Sequence, residues 1–89
     1  MRTNLDRIGL IAGAGEVPVY FARKASQHGI KLVSIGFSEE IQKALAPFSE
    51  KSYSIGVGQP GKIFETLHQN NVKDLLILGK VDKSVVFKL

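Results

Sequence analysis

Arg7-Ile8-Gly9-Leu10-Ile11-Ala12-Gly13-Ala14-Gly15-Glu16-Val17-Pro18 is the stretch on which the fold turns. The short apolar run over 7–12 fits a buried strand of a parallel sheet. The glycine turn at 13–15 ends it. Pro18 suits the first turn of a helix, where its missing N–H costs nothing. Phe21, Ala22 and Ala25 then recur at helical spacing, and Gly29 is a good stop.

The rest of the chain repeats this strand–turn–helix unit. Residues 31–35 read as a second strand ended by Gly36. Ser38 caps a short helix that carries Ile41, Ala44 and Leu45 on one side and closes at Pro47. Residues 52–55 make a short third strand. After the turn 56–61, with Pro60 at a helix start, Ile63, Phe64, Leu67 and Asn71 share one helical face. Residues 74–78, the most apolar run, predict a central buried strand ended by Gly79.

Strands alternating with helices imply right-handed crossovers and a parallel sheet. The expected fold is an α/β, Rossmann-like open parallel sheet of about four strands in the order 3-2-1-4, with residues 1–89 as a single domain. The first and fourth strands are then neighbours, and the topological switch point, where such sheets bind ligands, lies between them. Three helices cover four strands only unevenly, although a parallel sheet needs both faces covered. Val81, Val85, Val86, Phe87 and Leu89 form an apolar tail. It reads either as a lead into further protein or as a docked terminal segment.

Composition removes several function classes. With 44% hydrophobic and 22% charged residues, the 89-residue chain is globular in character. It has no run near the ~20 apolar residues of a membrane span and no signal-peptide pattern at its start. Cysteine is absent, and the two histidines, His28 and His68, are too scattered for a zinc site and read as surface residues. The cytoplasm is the expected compartment. The net charge of +4 is spread from Arg2 to Lys88 rather than clustered. No nucleic-acid partner is expected from that distribution.

Three loops carry the candidate chemistry. Gly13-Ala14-Gly15-Glu16-Val17-Pro18 begins like the dinucleotide fingerprint, but Pro18 stands where the third glycine belongs and no acid ends the second strand. No nucleotide cofactor is expected, although the helix start still favours an anion. Gly56-Val57-Gly58-Gln59-Pro60-Gly61-Lys62 begins like a P-loop, but Ile63 replaces the magnesium-binding hydroxyl. Gly79-Lys80-Val81-Asp82-Lys83 leaves the fourth strand. Glu16 and Asp82 are the carboxylates at this edge of the sheet. There is no nucleophile elbow and no Ser–His–Asp set.

Taken together, 8–15 with Pro18, Gly58-Gln59-Pro60-Gly61-Lys62 and Ile77-Leu78-Gly79-Lys80-Val81 resemble the amino-terminal domain of UDP-2,3-diacylglucosamine pyrophosphatase, the LpxI family of lipid A biosynthesis. The resemblance spans essentially the whole chain but about the first third of a typical family member. It implies a cytoplasmic bacterial enzyme, peripheral at the inner membrane, that hydrolyses UDP-2,3-diacylglucosamine to UMP and lipid X with Mg2+. The catalytic carboxylate of the family lies in a second, carboxy-terminal domain, so no catalytic residue is assigned in this chain and its metal ligands stay unknown. Substrate-binding residues on this basis are Gly13, Ala14, Gly15, Gly58, Gln59, Gly61, Lys62, Gly79 and Lys80. The glycine turns would lend backbone N–H groups, and Lys62 and Lys80 positive charge. UDP-diacylglucosamine or lipid X and the missing domain are the expected partners, with a homodimer left open. The chain by itself is expected to be inactive. The competing reading is a non-catalytic Rossmann-like module that binds a nucleotide or a protein partner.

Overall fold

The structure, a computed structural model, describes residues 7–80. Its elements alternate as β1 (Arg7–Ala12), α1 (Val17–Gln27), β2 (Lys31–Gly36), α2 (Glu39–Leu45), a single 3-10 turn (Ala46–Phe48), β3 (Lys51–Ser54), α3 (Pro60–Gln69) and β4 (Leu75–Leu78). The strands form one parallel sheet in the order β3-β2-β1-β4. This is the expected α/β topology, with β1 paired on both sides and the switch point between β1 and β4.

Alternation along the strands divides the core into two layers. Leu10, Ala12 and Leu32 pack with Ala22, Ala25 and Leu45, which puts α1 and α2 on one face. Ile11, Val33 and Ile35 pack with Ile55, Ile63 and Leu67, which puts α3 on the other. The change of face follows from handedness. The chain steps from β1 out to β3, then crosses back past β1 to β4, and a right-handed crossover in the opposite direction must use the opposite face. Ser34 is fully buried on the α1–α2 face. Its hydroxyl is satisfied by Ser49 Oγ at 2.5 Å, which in turn donates to the Leu45 carbonyl at 2.7 Å.

Helix boundaries have local causes. Pro18 sits buried in the first turn of α1. Gly29, at φ +76°, ends that helix, and the Ile30 N–H returns to the Ala25 carbonyl. Ser38 caps α2 by accepting from the Ile41 N–H at 3.3 Å, and Glu39 and Glu40 follow in its first turn, where the helix dipole favours them.

Three expectations need correction. Asn71 is not part of the α3 packing face. It lies past the helix end at φ 58°, as the left-handed residue that lets the Val72 N–H return to the Leu67 carbonyl. Phe64 is 59% exposed, while Ile63 and Leu67 face the sheet. The run at 74–78 is not a central buried strand either. Among the described strands β4 pairs with β1 alone, and Leu75 and Ile77 are 42% and 62% exposed. The packing residues of α3 lie over Ile11, Val33 and Ile35, so the single helix on that face leaves β4 only partly covered. Leu76 and Leu78, on the α1 face, are better covered. Coverage of the sheet is uneven as expected. The tail residues Val81, Val85, Val86, Phe87 and Leu89, and Asp82, lie outside the described residues.

Candidate functional site at the switch point

All four strands point the same way, so the loops after β1, β2, β3 and β4 gather at one edge of the sheet. Two of them are joined. The Ala14 N–H donates to the Lys80 carbonyl and the Lys80 N–H to the Ala14 carbonyl, both at 2.8 Å. The Gly13 N–H donates to the Leu78 carbonyl at 2.8 Å. The loops after β1 and β4 are therefore clasped by a small antiparallel bridge at the end of a parallel pair.

Glycine is required on both sides of this clasp. A Cβ on Gly13 would lie against the Lys80 carbonyl group, 2.8 Å from its carbon. A Cβ on Gly79 would fall 2.7–2.9 Å from the Gly13 backbone, and Gly79 also sits at φ +97°. Gly15 has free space around it but adopts φ +110°, a conformation that favours glycine.

Beside the clasp opens a cleft of about 590 Å³ lined by Ala14, Gly15, Glu16, Val17, Gly79 and Lys80. That volume suits a small ligand. A second, smaller hollow of about 280 Å³ lies on the far side of Ala14 and Gly15, between the starts of α1 and α2. Ser38 and Glu40 line it. Five of the nine candidate residues, Gly13, Ala14, Gly15, Gly79 and Lys80, thus come together at the switch point. Val17, whose apolar side chain gave no signal in the sequence, belongs to the same lining.

The clasp alters the expected chemistry. The N–H groups of Gly13 and Ala14 are already donated to the β4 side and cannot cradle a phosphate. Among the described residues, no carbonyl accepts from the N–H of Gly15, Glu16 or Val17, so the anion-binding capacity shifts to the first turn of α1. Glu16 and Lys80 bring one charge of each sign to the cleft.

Gly58, Gln59, Gly61 and Lys62 do not line this cleft. They leave β3, two strands away from β1, which is roughly 10 Å across the sheet. Lys62 is exposed in the first turn of α3. Neither Gly58 nor Gly61 is explained by the fold, since a Cβ on either would meet nothing within 4 Å and neither has a left-handed φ. His28 caps the end of α1, and His68 lies in the last turn of α3. Both are exposed. Among the described residues, no three His, Cys, Asp or Glu side chains gather as a metal site.

The family model for the LpxI N-terminal domain matches residues 7–89. The chain belongs to the LpxI N-terminal domain family. That membership makes it a domain of a bacterial enzyme related to lipid A biosynthesis. No curated protein and no solved structure matched the chain. In this LpxI domain, no helix among the described residues is long and apolar enough to cross a membrane.

Proposed function

We propose that this LpxI domain binds the substrate of a UDP-2,3-diacylglucosamine pyrophosphatase, which yields UMP and lipid X, and that residues 1–89 form one domain of a longer two-domain enzyme. The observation that carries this reading is the cleft at the β1–β4 switch point, with helix N–H groups that no described carbonyl accepts from and Lys80 at its wall. A phosphoryl group held there meets fixed donors that need no reorganisation when charge develops. Lys62 and the loop at 58–61 offer a second contact two strands away. The domain works in the cytoplasm, and as a homodimer if two copies are needed.

The expected Mg2+ takes oxygen ligands, commonly one or two carboxylates together with substrate phosphates. Among the described residues, Glu16 is the one carboxylate in the cleft lining. The described residues do not make a magnesium site by themselves. In the proposed enzyme, the metal ligands and the catalytic carboxylate come from the second domain.

The competing reading, a nucleotide- or partner-binding module, is favoured by one observation, the exposed apolar side chains of β4 and Phe64. An amide chemical-shift titration with lipid X, UMP, NAD and ATP in parallel separates the two. Shifts at Gly15–Val17 and Lys80 with lipid X or UMP alone are expected. A stronger response to NAD or ATP would move the assignment to the module.

A further inference from the structure

Two openings share the turn after β1. Ala14 and Gly15 line both, with the cleft on the β4 side of the turn and the smaller hollow on the β2 side, between α1 and α2. At about 280 Å³ the hollow lies just under the roughly 300–1,000 Å³ of small-ligand pockets, so it suits one group of a ligand whose remainder lies in the cleft. Gly15 puts no side chain between the two, and a Cβ there would meet nothing within 4 Å. The wall of the hollow is apolar at Pro18, Val19 and Ile41 and polar at Ser38 and Glu40. Ser38 Oγ accepts from the Ile41 N–H at 3.3 Å, which leaves its own hydrogen to donate. Among the described residues, no hydrogen bond or ion pair engages the Glu40 carboxylate.

We infer, resting on the pyrophosphate reading of the adjoining cleft, that this hollow seats the ribose of a nucleoside diphosphate, whose two neighbouring ring hydroxyls donate to the Glu40 carboxylate. In open α/β sheets a nucleotide runs from the turn after the first strand toward the second, where a carboxylate takes the ribose hydroxyls. No acid ends β2, yet the chain turns at Ser38 and brings Glu40 to the hollow. A pair of hydroxyls is matched by an acceptor with two oxygens. Pro18, Val19 and Ile41 offer apolar surface to the carbon face of the ring. Charge favours a ribose here over a second phosphate. Glu40 repels an anion, and Lys80 lines the cleft but not the hollow.

UMP, deoxy-UMP and lipid X separate the parts of the ligand, because only UMP carries both ribose hydroxyls and lipid X carries a phosphate without ribose. Calorimetric titration of the 89-residue chain is expected to show UMP bound at least about five-fold more tightly than deoxy-UMP. Glu40→Ala should bring that ratio to about one. Glu39→Ala makes the same charge change on a neighbour outside the lining, and should keep it. Circular dichroism melts establish that each variant folds. Amide shifts at Ser38–Ile41 should follow UMP and not lipid X, whereas Gly15–Val17 and Lys80 respond to both. A ratio near one in the unaltered chain overturns the ribose assignment and leaves the pyrophosphate reading standing. A ratio lost equally in the two variants, or shifts at Ser38–Ile41 as large with lipid X as with UMP, has the same effect. If neither UMP nor lipid X moves any amide, the assignment and the reading beneath it fall together.

Discussion

Glycine has two distinct roles in this chain, and substitution separates them. Gly13 and Gly79 meet backbone to backbone at the clasp, and Gly79 adds a left-handed φ. Gly79→Ala should therefore cost at least about 2 kcal/mol from strain alone, read as a fall in the thermal midpoint of roughly 10 °C. Gly58 and Gly61 have neither constraint. Gly61→Ala, in the first turn of α3, should stabilise the fold by about 0.4–1 kcal/mol. If the loop at 58–62 contacts ligand closely, the same change should weaken lipid X or UMP binding while raising the midpoint. Unchanged binding would remove that loop from the site. The glycines at 13–15 and 79 were legible as strand-end turns because a turn after an apolar run is a local pattern. The use of the Gly13 and Ala14 N–H groups was not, since their acceptors lie more than sixty residues further along the chain.

Strands show the same divide between what is local and what is not. Alternation of apolar runs and helix starts was enough for the order 3-2-1-4, because right-handed crossovers leave few other arrangements. The burial of β4 was not legible. A continuous apolar run says that both faces of a strand suit burial, but not that an element arrives to cover each one. Here α3 packs through Ile63 and Leu67 over the centre of the sheet and leaves Leu75 and Ile77 largely exposed. Consequently Ile77→Lys should change stability by no more than about 0.5 kcal/mol. Leu10→Ala, in the fully buried layer under α1, should cost about 2–5 kcal/mol. Chemical denaturation of both variants measures the contrast. A large loss for Ile77→Lys would mean that something covers this face in solution. An exposed apolar edge strand also invites pairing between copies, so the lysine variant should self-associate less in sedimentation.

At the scale of the whole molecule, the described residues of the cleft offer groups suited to holding an anion. Among the described residues its lining provides helix N–H groups, one lysine and one glutamate. Phosphoryl hydrolysis also needs a positioned water, neutralisation of the leaving group and exclusion of bulk solvent. One carboxylate does not supply all three. The buried side chains described above are apolar apart from Ser34, and its hydroxyl is occupied by Ser49. The 89-residue chain, incubated with UDP-2,3-diacylglucosamine and Mg2+, should thus release no UMP above the uncatalysed background, while lipid X or UMP is expected to bind. Chromatographic detection of UMP tests this directly. Metal-dependent release from the pure chain would place the catalytic group within these residues, and Glu16→Gln would then be the first variant to make. Binding without release would leave this domain as the part of the proposed enzyme that positions the pyrophosphate.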